Sequence, residues 1–128
     1  MRRWSIYWIA PALCLAAALS ICSHSDAADV SGAHDNFVAQ CAKCHGESGH
    51  GDGPAGAALA IKPRNFSDCT RMAKESDQRL FDTIKGGGAS VGLSKDMPPW
   101  REAFEDDEIK ALVSYVRQFC SSPRAMNK

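Results

Sequence analysis

Cys41-Ala42-Lys43-Cys44-His45 is the stretch on which the reading of this 128-residue chain turns. Two cysteines three positions apart fall on one helical turn, so their thiols reach the same side, and the next residue adds an imidazole beside them. That C-x-x-C-H order is the attachment pattern of a c-type haem: each thiol adds to a vinyl group of the porphyrin, and the histidine falls under the iron. Zinc is the first rival, with Cys41, Cys44, His50 and Cys69 as four nitrogen and sulfur ligands. That set lacks a second closely spaced pair and leaves His45 without a role. A thioredoxin-like C-x-x-C would open a helix after a strand, and no strand pattern precedes Cys41.

Outward from the motif, residues 1–27 read as an export signal, leaving residues 28–128 as one domain. Arg2 and Arg3 give the positive start, an uncharged run follows from Trp4 to Ser25, and Ser25-Asp26-Ala27 supplies small residues around a cleavage point. The alternative is an uncleaved anchor, because the run is nearly long enough to span a bilayer; Pro11 and the Ala-rich second half favour cleavage. Removing Arg2, Arg3 and Asp26 takes the charge balance from 15 against 15 to 13 basic against 14 acidic residues. A near-neutral domain is not built for nucleic acid or for an anionic membrane surface. Of six cysteines, Cys14 and Cys22 lie in the signal and Cys41 and Cys44 in the haem motif, which leaves Cys69 and Cys120. An even remainder in an exported chain suggests a disulfide, with two buried thiols as the alternative.

The chain divides into helices and Gly-rich loops. The spacing predicts a helix from Ser31 to His45, with Ser31 as cap and Phe37 one turn before Cys41 on the same side. Gly46 to Pro54 is too rich in glycine for regular structure. Gly51, Gly53 and Gly56 spell G-x-G-x-x-G, but no strand precedes them and Pro54 interrupts them, so no dinucleotide site is expected. A short helical turn is expected over 55–61, then a fixed loop, Lys62-Pro63-Arg64-Asn65-Phe66, and a polar stretch to Lys74. A helix capped by Ser76 is expected over Asp77–Lys85 with Leu80, Phe81 and Ile84 on one face, ended by Gly86, Gly87 and Gly88. The last helix is expected over Asp106–Phe119, with Ile109, Leu112, Val113, Val116 and Phe119 as its apolar stripe and an acidic first turn that suits the helix dipole.

His45 supplies one axial bond, and the second ligand decides the iron chemistry. Met97 is the candidate, in Ser94-Lys95-Asp96-Met97-Pro98-Pro99-Trp100, where two prolines restrict the backbone and would hold a thioether in place. Its competitors are His34, His50, Met72 and Met126, and the alternative role for Met97 is a gap-filling core methionine.

With these segments in order, the chain resembles a class I monohaem cytochrome c of the bacterial periplasmic type. The resemblance rests on Cys41 to Gly46, Gly51 to Gly56, Lys62 to Phe66, Met97 to Trp100 and the final helix with Tyr115-Val116-Arg117. It implies an all-α fold of three to five helices around one covalent haem c. The first and last helices would cross, through Phe37 with Tyr115 or Leu112. It also implies that the Pro63 carbonyl accepts the Nδ1 proton of His45, and that Arg64 pairs with a haem propionate. The function implied is one-electron transfer in the periplasm between redox proteins, after contact with the haem-attachment machinery during maturation. The chain would act as a carrier, not an enzyme. Three alternatives accompany it: a cytochrome subunit of a larger oxidoreductase, a five-coordinate haem sensor, and attachment to the periplasmic face of the inner membrane if the N-terminal segment is retained. A bridge from Cys69 to Cys120 would be a departure from the general pattern of the family.

Overall fold

The computed structural model describes residues 32–121. The expected export segment and its cleavage point, Ser31 and Met126 lie outside them. The first helix, α1, covers residues 32–45 and is not uniform: one π turn, Phe37–Cys41, interrupts it before α-helical bonding resumes over Ala42–His45. In that turn the Ala42 amide reaches back five residues to the Phe37 carbonyl. The extra residue shifts the buried face. Ala33, Phe37 and Ala42 are buried at spacings of four and then five, whereas a helix of constant period would bury Cys41 directly below Phe37. Cys41 is half-buried instead.

Helix α2, Pro54–Ala57, begins on a proline, whose missing N–H costs nothing in a first turn. It is shorter than the expected 55–61. Helix α3, Cys69–Met72, lies within the stretch read as polar loop, and Asp68 caps it through the Arg71 amide at 3.1 Å. Helix α4, Asp77–Gly86, starts where expected, with Ser76 Oγ accepting the Arg79 amide at 3.1 Å. Gly87 follows with φ +79°, and the chain enters a 3₁₀ turn over Gly88–Val91. Helix α5, Asp106–Ser121, is the longest. Lys85 of α4 pairs with Asp106 at its start, at 2.6 Å.

No strand occurs among the described residues. The core is built where α1 and α5 meet: Phe37, Ala42, Phe66, Met72, Leu112 and Val116 form one buried cluster, edged by Leu80, Ile84, Phe104, Tyr115 and Phe119. The Phe37 ring lies 5.2 Å from Tyr115 and 5.3 Å from Phe119 between centroids, so the expected pairing of first and last helices is present. Met72 is 1% exposed inside this cluster. Cys69 and Cys120 bring their sulfur atoms into contact, with Cα atoms 5.3 Å apart, within the separation a disulfide spans.

Candidate haem site

Glycines bring the loops against α1. A Cβ on Gly53 would stand 2.5 Å from the Ala42 carbonyl oxygen and 2.6 Å from that of Lys43, so no larger residue lets the Gly-rich loop pack on the haem motif. This is the use of the G-x-G-x-x-G stretch here: close backbone approach without a phosphate. On the other side, a Cβ on Gly87 would meet the Pro99 nitrogen at 2.8 Å and the Met97 oxygen at 2.9 Å. The Gly88 amide also donates to the Met97 carbonyl at 3.0 Å. The triple glycine ends α4 and forms the seat of the Met97 loop.

A largely apolar cavity of about 520 Å³ opens between these parts, lined among others by Cys41, Cys44, His45, Leu80, Met97 and Trp100. Its size is that of a cofactor pocket. His45 Nδ1–H donates to the carbonyl of Arg64 at 3.1 Å, which fixes the tautomer and leaves Nε2 as the ring's lone-pair nitrogen. The acceptor expected was Pro63; the structure places it one residue on. The Pro63 carbonyl is turned to Gly51 instead, where a Cβ would come within 2.5 Å of it. The face of the imidazole is held as well, because Phe66 stacks on it at 4.5 Å and 17°. Burial lowers the His45 pKa, opposed in part by the bond to Arg64, and so favours the neutral, metal-binding ring. Burial also pushes the Cys41 thiol up to about 11, with Cys44 adding to the rise and Lys43 opposing it.

Arg64 also lines this cavity, yet it is not a free surface cation. Its Nη2 donates to Glu75 Oε1 at 2.9 Å, while Nη1 is buried with no hydrogen-bond partner among the described residues. Trp100 is half-buried on the cavity wall and stacks on Phe104 at 5.7 Å. The competing ligands are elsewhere: His34 is exposed beside Asp35, His50 is exposed against Ser48 at 2.8 Å, and Met72 is in the core. Cys69, the remaining member of the zinc set, faces Cys120.

The residues present fit a haem. Two thiols, an oriented imidazole and a methionine line one apolar cavity, and Arg64, whose Nη1 is buried without a partner among the described residues, is among its lining residues, a guanidinium of the kind that pairs a porphyrin carboxylate. Sequence reasoning missed two side chains that shape this site. Phe66 was legible only as the end of a quoted motif, and Glu75 not at all, since it falls between the polar stretch to Lys74 and the Ser76 cap.

An all-helical domain enclosing such a cavity beside C-x-x-C-H defines a class I c-type cytochrome. A family model described as cytochrome c oxidase, cbb3-type, subunit III matches residues 28–116, and the chain belongs to that family. The cbb3-type cytochrome c oxidase subunits FixP of Bradyrhizobium diazoefficiens and of Azorhizobium caulinodans are each 32% identical to it over 80 residues. Those matches cover 62% of this chain and 24% of each relative, so the chain spans about a quarter of the length of these proteins. A solved structure, the KustC0563 c-type cytochrome, is similar over 68% of this chain and 95% of its own, at 31% identity and a TM-score of 0.55. Membership implies a c-type haem and a role in electron transport. No helix among the described residues is long and apolar enough to cross a membrane.

Proposed function

We propose that this chain transfers single electrons in the periplasm through one haem c, attached at Cys41 and Cys44 and held axially by His45 Nε2 and Met97 Sδ. The observation that carries this reading is the convergence of all four side chains on one apolar cavity. When bound, the haem supplies a one-electron ferrous–ferric couple. The protein's part is to tune it. The Arg64 carbonyl and the Phe66 ring orient His45, the seat made by Gly87 and Gly88 holds the Met97 loop, and the apolar walls exclude water, which together with a thioether ligand favours the ferrous form. In this reading residues 1–27 export the chain, and Cys69 and Cys120 form a disulfide, in keeping with their 5.3 Å Cα separation and an oxidising compartment.

Donor and acceptor are redox proteins that meet the cavity rim, where Ile61 is 63% and Leu93 42% exposed. A small apolar contact of this kind suits a transient encounter. A second reading, that the domain works as a subunit of a terminal oxidase, is favoured by the FixP relatives. Purification of the protein from membranes and from the soluble periplasmic fraction separates the two: a stable complex with oxidase subunits supports the second, a monomeric red fraction the first.

The ligand set is tested by absorption spectroscopy of the purified oxidised protein. The methionine-to-iron charge-transfer band in the near infrared is expected in the wild type and absent in Met97→Ala. A band that persists in the variant, or is missing from the wild type, removes Met97 from the iron.

A further inference from the structure

One wall of the haem cavity is a chain of charges that the electron-transfer reading does not use. Glu75 stands at its middle, with only 17% of its side chain exposed. One carboxylate oxygen takes Arg64 Nη2 at 2.9 Å, and the other takes Arg79 Nε at 3.2 Å. Arg79 continues the chain, donating from Nη2 to the Val91 carbonyl at 3.2 Å. These contacts join separate parts of the site. Arg64 belongs to the loop whose carbonyl orients His45, and Val91 ends the 3₁₀ turn that leads into the Met97 loop. Glu75 is itself pinned from α5: Arg117 donates to the Met72 carbonyl at 2.7 Å and to the Glu75 carbonyl at 2.5 Å. The carboxylate therefore sits on a fixed backbone, and Arg64, Glu75 and Arg79 all line the cavity.

The geometry points to Glu75 as a positioning residue of the haem site. Its carboxylate ties the His45 loop to the Met97 loop across the cavity wall. It also holds Arg64 at the cavity wall, where its guanidinium would pair a porphyrin carboxylate, and its charge tunes the iron's reduction potential. The inference rests on the haem reading above and adds to it the groups that tune the couple. The sign follows from electrostatics. A fixed negative charge beside the cavity stabilises the more positive ferric state, and Arg79 opposes it. Taking away the Glu75 charge favours ferrous iron, and taking away the Arg79 charge favours ferric iron.

The test is redox titration of the holoprotein carrying Glu75→Gln, which keeps the shape and removes the charge. The ferrous-to-ferric ratio at a given ambient potential is expected to rise roughly three- to tenfold, which is about 30 to 60 mV at 59 mV per tenfold for one electron. Arg79→Gln is expected to move it the other way, and Glu75→Asp to return it to within about twofold of wild type. Asp107→Asn, which removes a charge 92% exposed to solvent and outside this network, is the control and should move it less than Glu75→Gln. Glu75→Gln protein with full haem content and an unchanged ratio, or equal shifts in Glu75→Gln and Asp107→Asn, overturns the assignment. If Glu75→Gln yields no holoprotein, Arg79→Gln decides: a lowered ratio supports the proposal, and an unchanged or raised one overturns it. Wild-type protein without a covalent haem spectrum would fault the haem reading itself, an outcome distinct from all of these.

Discussion

Gly53 and Phe66 bear on the haem site from opposite extremes of size. Gly53 carries no side chain, and the carbonyls of Ala42 and Lys43 occupy the place where one would be. Gly53→Ala therefore has to push the loop away from the haem motif, an overpacking cost of about 1–3 kcal/mol. The expected result is a lower urea midpoint and a reduced yield of covalently attached haem, read from the ratio of haem absorbance to protein. Phe66 fills space between His45 and the core and is 7% exposed. Phe66→Ala removes the stacked face of the imidazole and should cost about 3–5 kcal/mol, again measured by denaturant unfolding. A loss below about 1 kcal/mol would mean that the ring is held by its hydrogen bond to Arg64 and not by stacking.

Elements differ in how plainly the sequence announced them. Helix α4 was legible at both ends because Ser76 caps it and a glycine run stops it, and α5 because four of its buried residues repeat at helical spacing. Ser76→Ala is expected to lower stability by about 1 kcal/mol through the loss of its bond to the Arg79 amide. The short helix Cys69–Met72 was not legible: a single turn gives no periodicity, and three of its four residues are not buried. The acceptor for His45 was misplaced by one residue because a resemblance names a loop, whereas the carbonyl that faces the ring depends on where Gly51 lets Pro63 turn. The ion pairs of Glu75 join residues 11 and 4 positions away, through a segment whose composition reads as solvated surface. Joining residues 51 apart, a bridge between Cys69 and Cys120 ties α3 to the end of α5. The double variant Cys69→Ser, Cys120→Ser should lose about 2–4 kcal/mol, and little change would favour two independent thiols.

At the scale of the whole molecule the cavity ties folding to what fills it. The cavity of about 520 Å³ opens to solvent, and without a porphyrin its apolar lining is left to water. A domain of this kind has only about 5–15 kcal/mol of stability in total. Haem is therefore predicted to be part of the fold. Replacing Cys41 and Cys44 by Ala, and so preventing attachment, should leave a chain without near-ultraviolet circular dichroism or a cooperative thermal transition. A haem-free chain that melts cooperatively near the holoprotein's temperature would show that the helices support one another without it.

The π turn of α1 is, in effect, one residue more than the helix needs. Phe37 and Ala42 are buried on either side of it, while Val38, Ala39 and Gln40 between them are exposed. Deleting Ala39 would convert the five-residue step into a four-residue one and leave both anchors on their present faces, so the shortened chain should still acquire haem. Deleting Asn36 instead would keep the π turn and rotate Ala33 by about 100° against Phe37, so it should be tolerated less well. In this chain the turn is therefore where α1 is expected to tolerate a change of length before it tolerates one nearer the cysteines.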